Sequence, residues 1–128
     1  MQSLDDAIGK IVDAIDDAKL SNNTVIIFTS DKGGEIYSDM GIYKGMKLQL
    51  WGGEVSGVPA IVRWPEKIKA NSVSNHVTTT MDWTATILAL ANAKAHPDFP
   101  LDGINVLPIV QGKQKETDRT LYWRVSNG

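Results

Sequence analysis

The residues whose types suggest chemistry stand directly after a short apolar segment. Asp31 and Lys32 follow residues 24–29, which read Thr-Val-Ile-Ile-Phe-Thr, and two glycines come next. A carboxylate in such a position can bind a metal ion or transfer a proton. It can equally accept a hydrogen bond from the backbone of its own loop, so both interpretations of Asp31 are open at this point.

The strand that would position Asp31 is predicted over residues 24–29. This segment is β-branched and continuously apolar, which is typical of a strand covered on both faces of a sheet. In α/β sheets, ligands bind beyond the carboxyl ends of the strands, and Asp31 would lie at that end. Residues 31–57 then read as one long glycine-rich loop, and loops of such length in compact domains are usually functional.

An amphipathic helix is predicted before this strand, over residues 3–19. Its apolar residues recur at helical spacing, and Ser3 with Asp6 forms a weaker version of the capping box. The segment 103–110 is apolar but too short to assign to a helix or a strand.

Further elements are predicted downstream of the loop. Residues 58–65 read as a strand bounded by prolines, and residues 119–125 as a last strand. Residues 82–93 read as a second helix, capped by Thr80 or Asp82. The order of elements predicts an α/β fold in which helices flank a small sheet with a buried central strand. The chain has 128 residues, a length that fits a single domain over residues 1–128.

Composition excludes several classes of partner and site. The net charge is −2 and the basic residues are scattered, so no nucleic-acid interface is expected. The absence of cysteine excludes disulfides, thiolate metal sites and a Cys nucleophile. No apolar run approaches the roughly 20 residues that a transmembrane helix needs. The first residues do not read as a signal peptide, so a cytoplasmic location is expected.

Several motifs, in order and at matching spacing, extend over nearly the whole chain. They are Leu-Asp-Asp-Ala-Ile-Gly at 4–9, Phe-Thr-Ser-Asp at 28–31, Gly-Met-Lys at 45–47, Trp-Gly-Gly at 51–53, Val-Pro-Ala-Ile-Val-Arg-Trp-Pro at 58–65, Met-Asp-Trp-Thr-Ala-Thr at 81–86 and Leu-Asp-Gly-Ile at 101–104. With these motifs the chain resembles the sulfatase family, which is arylsulfatase-like and belongs to the alkaline phosphatase superfamily. The resemblance is to the C-terminal part of the catalytic domain and implies a partial sulfatase-type fold.

The resemblance implies roles for three residues. Sulfatases bind a divalent cation, usually calcium, partly through an Asp-Asn pair after this strand, and Asp31 matches the Asp. Lys32 stands at the Asn position and is not expected to bind the ion, because an ammonium group has no lone pair. Lys47 matches the lysine that contacts the sulfate in the family.

The resemblance also shows what these residues lack. Sulfatases use a formylglycine made from Cys or Ser in a Cys/Ser-x-Pro-x-Arg motif. No cysteine is present here and no serine is followed by x-Pro-x-Arg, so no formylglycine can form within these residues. The family's Glu-Gly-Gly-x-Arg-Val-Pro signature is also altered, because residues 52–59 are one residue longer and contain no arginine. We therefore expect a sulfatase-like segment without catalytic activity of its own.

Two alternatives to this interpretation are a small sulfate- or phosphate-binding protein that uses Asp31, Lys32 and Lys47, and a structural or interaction module that retains the fold. His76 and His96 lie in polar or proline-flanked loops and are expected to be solvated surface residues. An apolar strand with few neighbours needs cover, so the expected partner is a second copy of the chain or a missing N-terminal half. Full-length relatives are often exported.

Overall fold

The structure is a computed structural model that describes residues 1–35, 37–39, 41 and 58–122. It contains both helices and strands, which confirms the predicted α/β class. In chain order the elements are α1 (Gln2–Asp17), a 3₁₀ turn (Ser21–Asn23), β1 (Ile26–Thr29), β2 (Ala60–Arg63), α2 (Thr80–Leu90) and α3 (Leu107–Val110). No helix in the described part is long and apolar enough to cross a membrane.

The chain divides into two compact units. The first comprises Met1–Val25 and Arg63–Thr117, and the second comprises Ile26–Val62 and Asp118–Gly128. The first unit contains α1, α2 and α3, and the second contains β1 with nearly all of β2. A single domain over residues 1–128 stays a prediction.

Helix α1 forms where the apolar spacing predicted it, but its start differs from the prediction. Met1 is the N-cap, and its carbonyl accepts hydrogen bonds from the amides of Leu4 and Asp5 at 3.0 and 3.1 Å. No side chain caps the helix, so the capping box predicted for Ser3 is wrong. After the helix, Lys19 takes a left-handed backbone conformation with φ of 58°, which turns the chain away from the helix axis.

The strands β1 and β2 pair in a two-stranded sheet and are shorter than predicted. All four residues of β1 are half-buried, and the first two residues of β2 are exposed. The sheet is therefore less covered than the predicted buried central strand. The physical reason is that, within the described residues, β1 has only one neighbouring strand to cover its edges.

Polar contacts from Arg63 and Trp64, at the end of β2 and just after it, reach the end of α1 and the turn that follows it. The Arg63 guanidinium donates to both carboxylate oxygens of Asp16 at 2.9 and 3.0 Å. The Trp64 indole donates to the Asn22 carbonyl at 2.7 Å. The Ser21 hydroxyl also donates to Asp16, and this bond together with the Arg63 charge lowers the pKa of the Asp16 carboxyl. The contacts hold residues far apart in sequence, although the exposed Asp16–Arg63 ion pair by itself stabilises little.

Helix α2 begins at a buried carboxylate. Thr79 is the N-cap, rather than Thr80 or Asp82 as predicted, and Asp82 occupies the third helical position. Asp82 is fully buried, and its carboxylate accepts the Thr79 amide at 2.7 Å and the Ile104 amide at 2.9 Å. One side chain therefore satisfies a free donor at the helix start and ties a segment 22 residues further along the chain to it.

The segment that Asp82 holds packs closely against α2. A Cβ atom built on Gly103 would lie 2.1 Å from the Met81 carbonyl oxygen, so only glycine fits at this approach. Further on, the Val106 amide donates to the Thr86 hydroxyl at 3.0 Å. The buried apolar residues of the described part gather here. They are Ala85, Val106 and Ile109.

Two segments in the C-terminal part of the chain can be compared with their predictions. The unassigned segment 103–110 ends in the short helix α3, with proline in its first turn and Gly112 at φ of 68° after its end. The predicted last strand, 119–125, is not seen in residues 119–122, and residues 123–125 lie outside the described part.

The close approach at Gly103 gives a prediction about stability. Gly103→Ala should lower the free energy of unfolding by about 2 kcal/mol, because the new methyl group must displace the backbone of Met81. Gly9→Ala is the matched control, since Gly9 lies inside α1 with no atom within 4 Å of its added Cβ. The control should stabilise the protein by roughly 0.5–1 kcal/mol. Urea unfolding of both variants measures the difference, and equal midpoints would contradict the close packing.

Candidate functional site

The candidate site begins where β1 ends. Thr29 is the last residue of the strand, and the Ser30 hydroxyl donates to the Lys32 carbonyl at 2.9 Å. This short-range bond fixes the turn that follows the strand. Gly33 is buried, so the backbone returns to the interior directly after Lys32. The local sequence therefore places Asp31 and Lys32 on a defined turn at the strand end, as predicted.

Asp31 and Lys32 lie together and face solvent. The Lys32 ammonium is 4.0 Å from the Asp31 carboxylate, and the two side chains are 47% and 81% exposed, respectively. An ion pair in this environment is worth little, because water competes for both charges. The Asp31 side chain is thus accessible to a ligand, and the Lys32 ammonium lies beside it.

The described part of the following loop is built from turns. The Ser38 amide donates to the Glu35 carbonyl at 2.8 Å. The Gly41 amide donates to the Asp39 carboxylate at 2.8 Å, and Gly41 has a φ of 60°. One carboxylate oxygen of Asp39 therefore accepts a hydrogen bond within its own turn. Asp31 is the carboxylate that lies next to the end of β1. Lys47 lies outside the described residues.

The described residues do not fit a divalent cation by themselves. Among them, no three His, Asp or Glu side chains come together in a group that could hold a metal ion. Calcium takes six to eight oxygen ligands, whereas this strand end offers the Asp31 carboxylate beside an ammonium group. The described residues therefore show no complete ligand set at this strand end, and the roles of Asp31 and Lys32 stay predictions.

The two histidines have different environments. His96 is exposed, as predicted, and its ring lies 5.1 Å from that of Phe99. His76 is only half-buried, but its Nε2 atom is inaccessible to water and has no hydrogen-bond partner in the described part. The prediction of a solvated His76 is therefore wrong. Beside it, the Ser74 hydroxyl and the Asn75 amide donate to the Glu116 carboxylate at 3.2 and 3.0 Å.

Sequence reasoning missed a buried polar residue that joins two distant segments. Asp82 was considered only as a helix cap, whereas it is fully buried and binds the Ile104 amide as well. The Thr-x-x-Asp spacing from Thr79 to Asp82 is a signal that could have located the cap. The pairing with Ile104 has no local signal, because it joins two segments that are distant along the chain.

Comparison with known proteins identifies the family. The sulfatase family model matches residues 1–93. Human steryl-sulfatase is 34% identical over 99% of this chain, and human N-acetylgalactosamine-6-sulfatase is 33% identical over 96% of it. These matches cover 23% and 24% of the two relatives, so the chain spans about a quarter of their length.

Structural comparison gives the same result. The crystal structure of Ps i-CgsB superposes with a TM-score of 0.74 at 31% sequence identity. The match covers 86% of this chain and 25% of the Ps i-CgsB chain. Since the family model covers most of the chain and the fold is shared, this protein belongs to the sulfatase family.

Proposed function

We propose that this chain supplies one part of a sulfate-ester hydrolase site and has no catalytic activity of its own. The observation that carries the proposal is the combination of family membership with a sequence that lacks the motif from which the formylglycine nucleophile is made. The 128 residues contain no cysteine and no serine followed by x-Pro-x-Arg, so the formylglycine that performs covalent catalysis in the family cannot form among them.

In this proposal Asp31 is a metal ligand and Lys47 a sulfate contact. Support for Asp31 comes from its position directly after β1 and from its exposed carboxylate, which can reach a ligand. Lys47 is assigned by the family motif Gly-Met-Lys alone. A lysine beside a sulfate oxygen would stabilise the negative charge that develops as the ester bond breaks.

Calcium is the cofactor that family membership suggests, and Lys32 is the reason to expect weak binding in this chain. A bound calcium ion would experience repulsion from the Lys32 ammonium, which already lies 4.0 Å from the Asp31 carboxylate. When bound, the metal would polarise an oxygen of the substrate. The chain's own contribution at this point is a carboxylate that is partly neutralised by its neighbour.

Catalysis is tested with a chromogenic aryl sulfate. The purified chain should release no product above a buffer blank, because a bound ester would meet no formylglycine nucleophile. A full-length arylsulfatase at the same concentration is the positive control. Hydrolysis by the native chain that is abolished in Asp31→Ala would contradict the proposal. Sulfate binding without hydrolysis, weakened in Lys32→Ala, would support the anion-binding alternative.

Calcium binding is tested through thermal stability. Calcium should change the Tm of the native chain little, whereas Lys32→Asn should allow a gain because the amide supplies an oxygen ligand. Lys32→Ala is the matched control, since it removes the ammonium group without providing an oxygen. A native chain that calcium already stabilises by several degrees would show that Lys32 does not oppose the ion.

A further inference from the structure

His76 carries a shielded ring nitrogen that the proposed function does not use. Its Nε2 atom is inaccessible to water and has no hydrogen-bond partner in the described part of the chain. A shielded polar atom without a partner costs free energy, because it has lost the hydrogen bond that water would give it. Other contacts must therefore hold the ring where it is.

The segment that carries His76 has no regular secondary structure. Residues 72–79 are neither helix nor strand, so no ladder of backbone hydrogen bonds fixes them. Ser74 and Asn75 are exposed, and Val77 on the other side of the histidine is 65% exposed. The ring nitrogen is thus shielded although the residues on both sides of it face water. Its shielding depends on what holds this segment against the rest of its unit.

One carboxylate joins the segment to a distant part of the chain. Oε1 of Glu116 accepts the Ser74 hydroxyl at 3.2 Å and the Asn75 amide at 3.0 Å. The His76 amide donates to the Ser74 hydroxyl at 3.2 Å, which is a local bond. Within the described residues, the two bonds to Glu116 are the hydrogen bonds that connect residues 74–76 to another segment. We call Glu116, Ser74 and Asn75 the Glu116 clasp.

We propose that the Glu116 clasp is a conformational gate over His76. While its two bonds are formed, the segment stays in place and Nε2 is shielded. When they break, the segment is released and the imidazole becomes accessible. Glu116 is exposed, so water competes for its carboxylate and the clasp can open without unfolding of the core. An accessible imidazole can accept a proton or bind a metal ion, and the closed clasp prevents both.

The same residues do not form a hydrolase triad. In such a triad a histidine lies between a serine and a carboxylate, and its ring nitrogen accepts the serine proton. Here the Ser74 hydroxyl donates directly to Glu116. The contact between His76 and Ser74 is made by the backbone amide and not by the ring. The arrangement therefore favours a gate over a catalytic serine.

Diethyl pyrocarbonate tests the gate, because this reagent modifies accessible imidazole nitrogens. The chain has two histidines, and the exposed His96 is an internal reference for His76. Peptide mass spectrometry of the full chain measures the rate of modification at each of them. In the native chain His76 should react at least about tenfold more slowly than His96. Equal rates would show that Nε2 is not shielded and would overturn the proposal.

Glu116→Ala removes the acceptor of both bonds. The rate at His76 should rise at least about fivefold, while His96 keeps its rate. Glu116→Gln is the matched control, since its amide retains an oxygen that can accept both donors, and His76 should stay within about twofold of its native rate. A His76 that remains slow in Glu116→Ala would refute the gate, because the segment would then be held without the clasp.

Urea unfolding separates local opening from loss of the fold. Glu116→Ala should retain a cooperative transition, because hydrogen bonds to an exposed carboxylate add little to the stability of the core. A variant without that transition would contradict the proposal, since the gate opens locally. Ser74→Ala removes one of the two donors and should raise the His76 rate by a smaller factor. None of these measurements needs turnover, so their outcome is independent of the proposed function.

Discussion

The first unit of the chain depends on one buried carboxylate. Burying a charge is costly unless hydrogen bonds compensate it, and Asp82 has the Thr79 amide on one oxygen and the Ile104 amide on the other. The two amides belong to the start of α2 and to the segment that leads to α3. Because one group binds both, the helix start and this segment cannot move independently. Gly103 lies within this junction, where any larger residue would clash with the Met81 backbone.

The remaining core is arranged around this junction. The Thr86 hydroxyl accepts the Val106 amide one turn further along α2, and Val106 is fully buried. The apolar core itself is small, since the other buried apolar residues of the described part are Ala85 and Ile109. With so little apolar area buried, polar contacts of fixed geometry have a large share in specifying the structure.

Features that depend on local periodicity could be predicted from the sequence. Helix α1 and strand β1 were located within a few residues, because helical spacing and a β-branched run are visible in a short window. The position of Asp31 and Lys32 after β1 followed from the same reasoning. Contacts between distant segments could not be predicted in this way. The Asp82–Ile104 and Arg63–Asp16 bonds join residues 22 and 47 positions apart, and neither leaves a local pattern.

Membership of the sulfatase family gives these features a common interpretation. The chain corresponds to about a quarter of a relative such as human steryl-sulfatase. The half-buried β1 and the exposed Asp31 are, in our proposal, surfaces that the rest of such a domain would meet. A small core organised by Asp82 would allow this chain to fold while those surfaces remain exposed to solvent. The organisation of the junction by Asp82 is therefore the central claim.

The most direct measurement is amide hydrogen exchange in Asp82→Asn. This substitution keeps the size of the side chain but removes the charge and replaces one acceptor oxygen with a donor. If Asp82 organises the junction, the opening free energy of the Thr79, Ile104 and Val106 amides should fall together by about 2 kcal/mol. Exchange that changes at Thr79 alone, or at none of the three, would contradict this account.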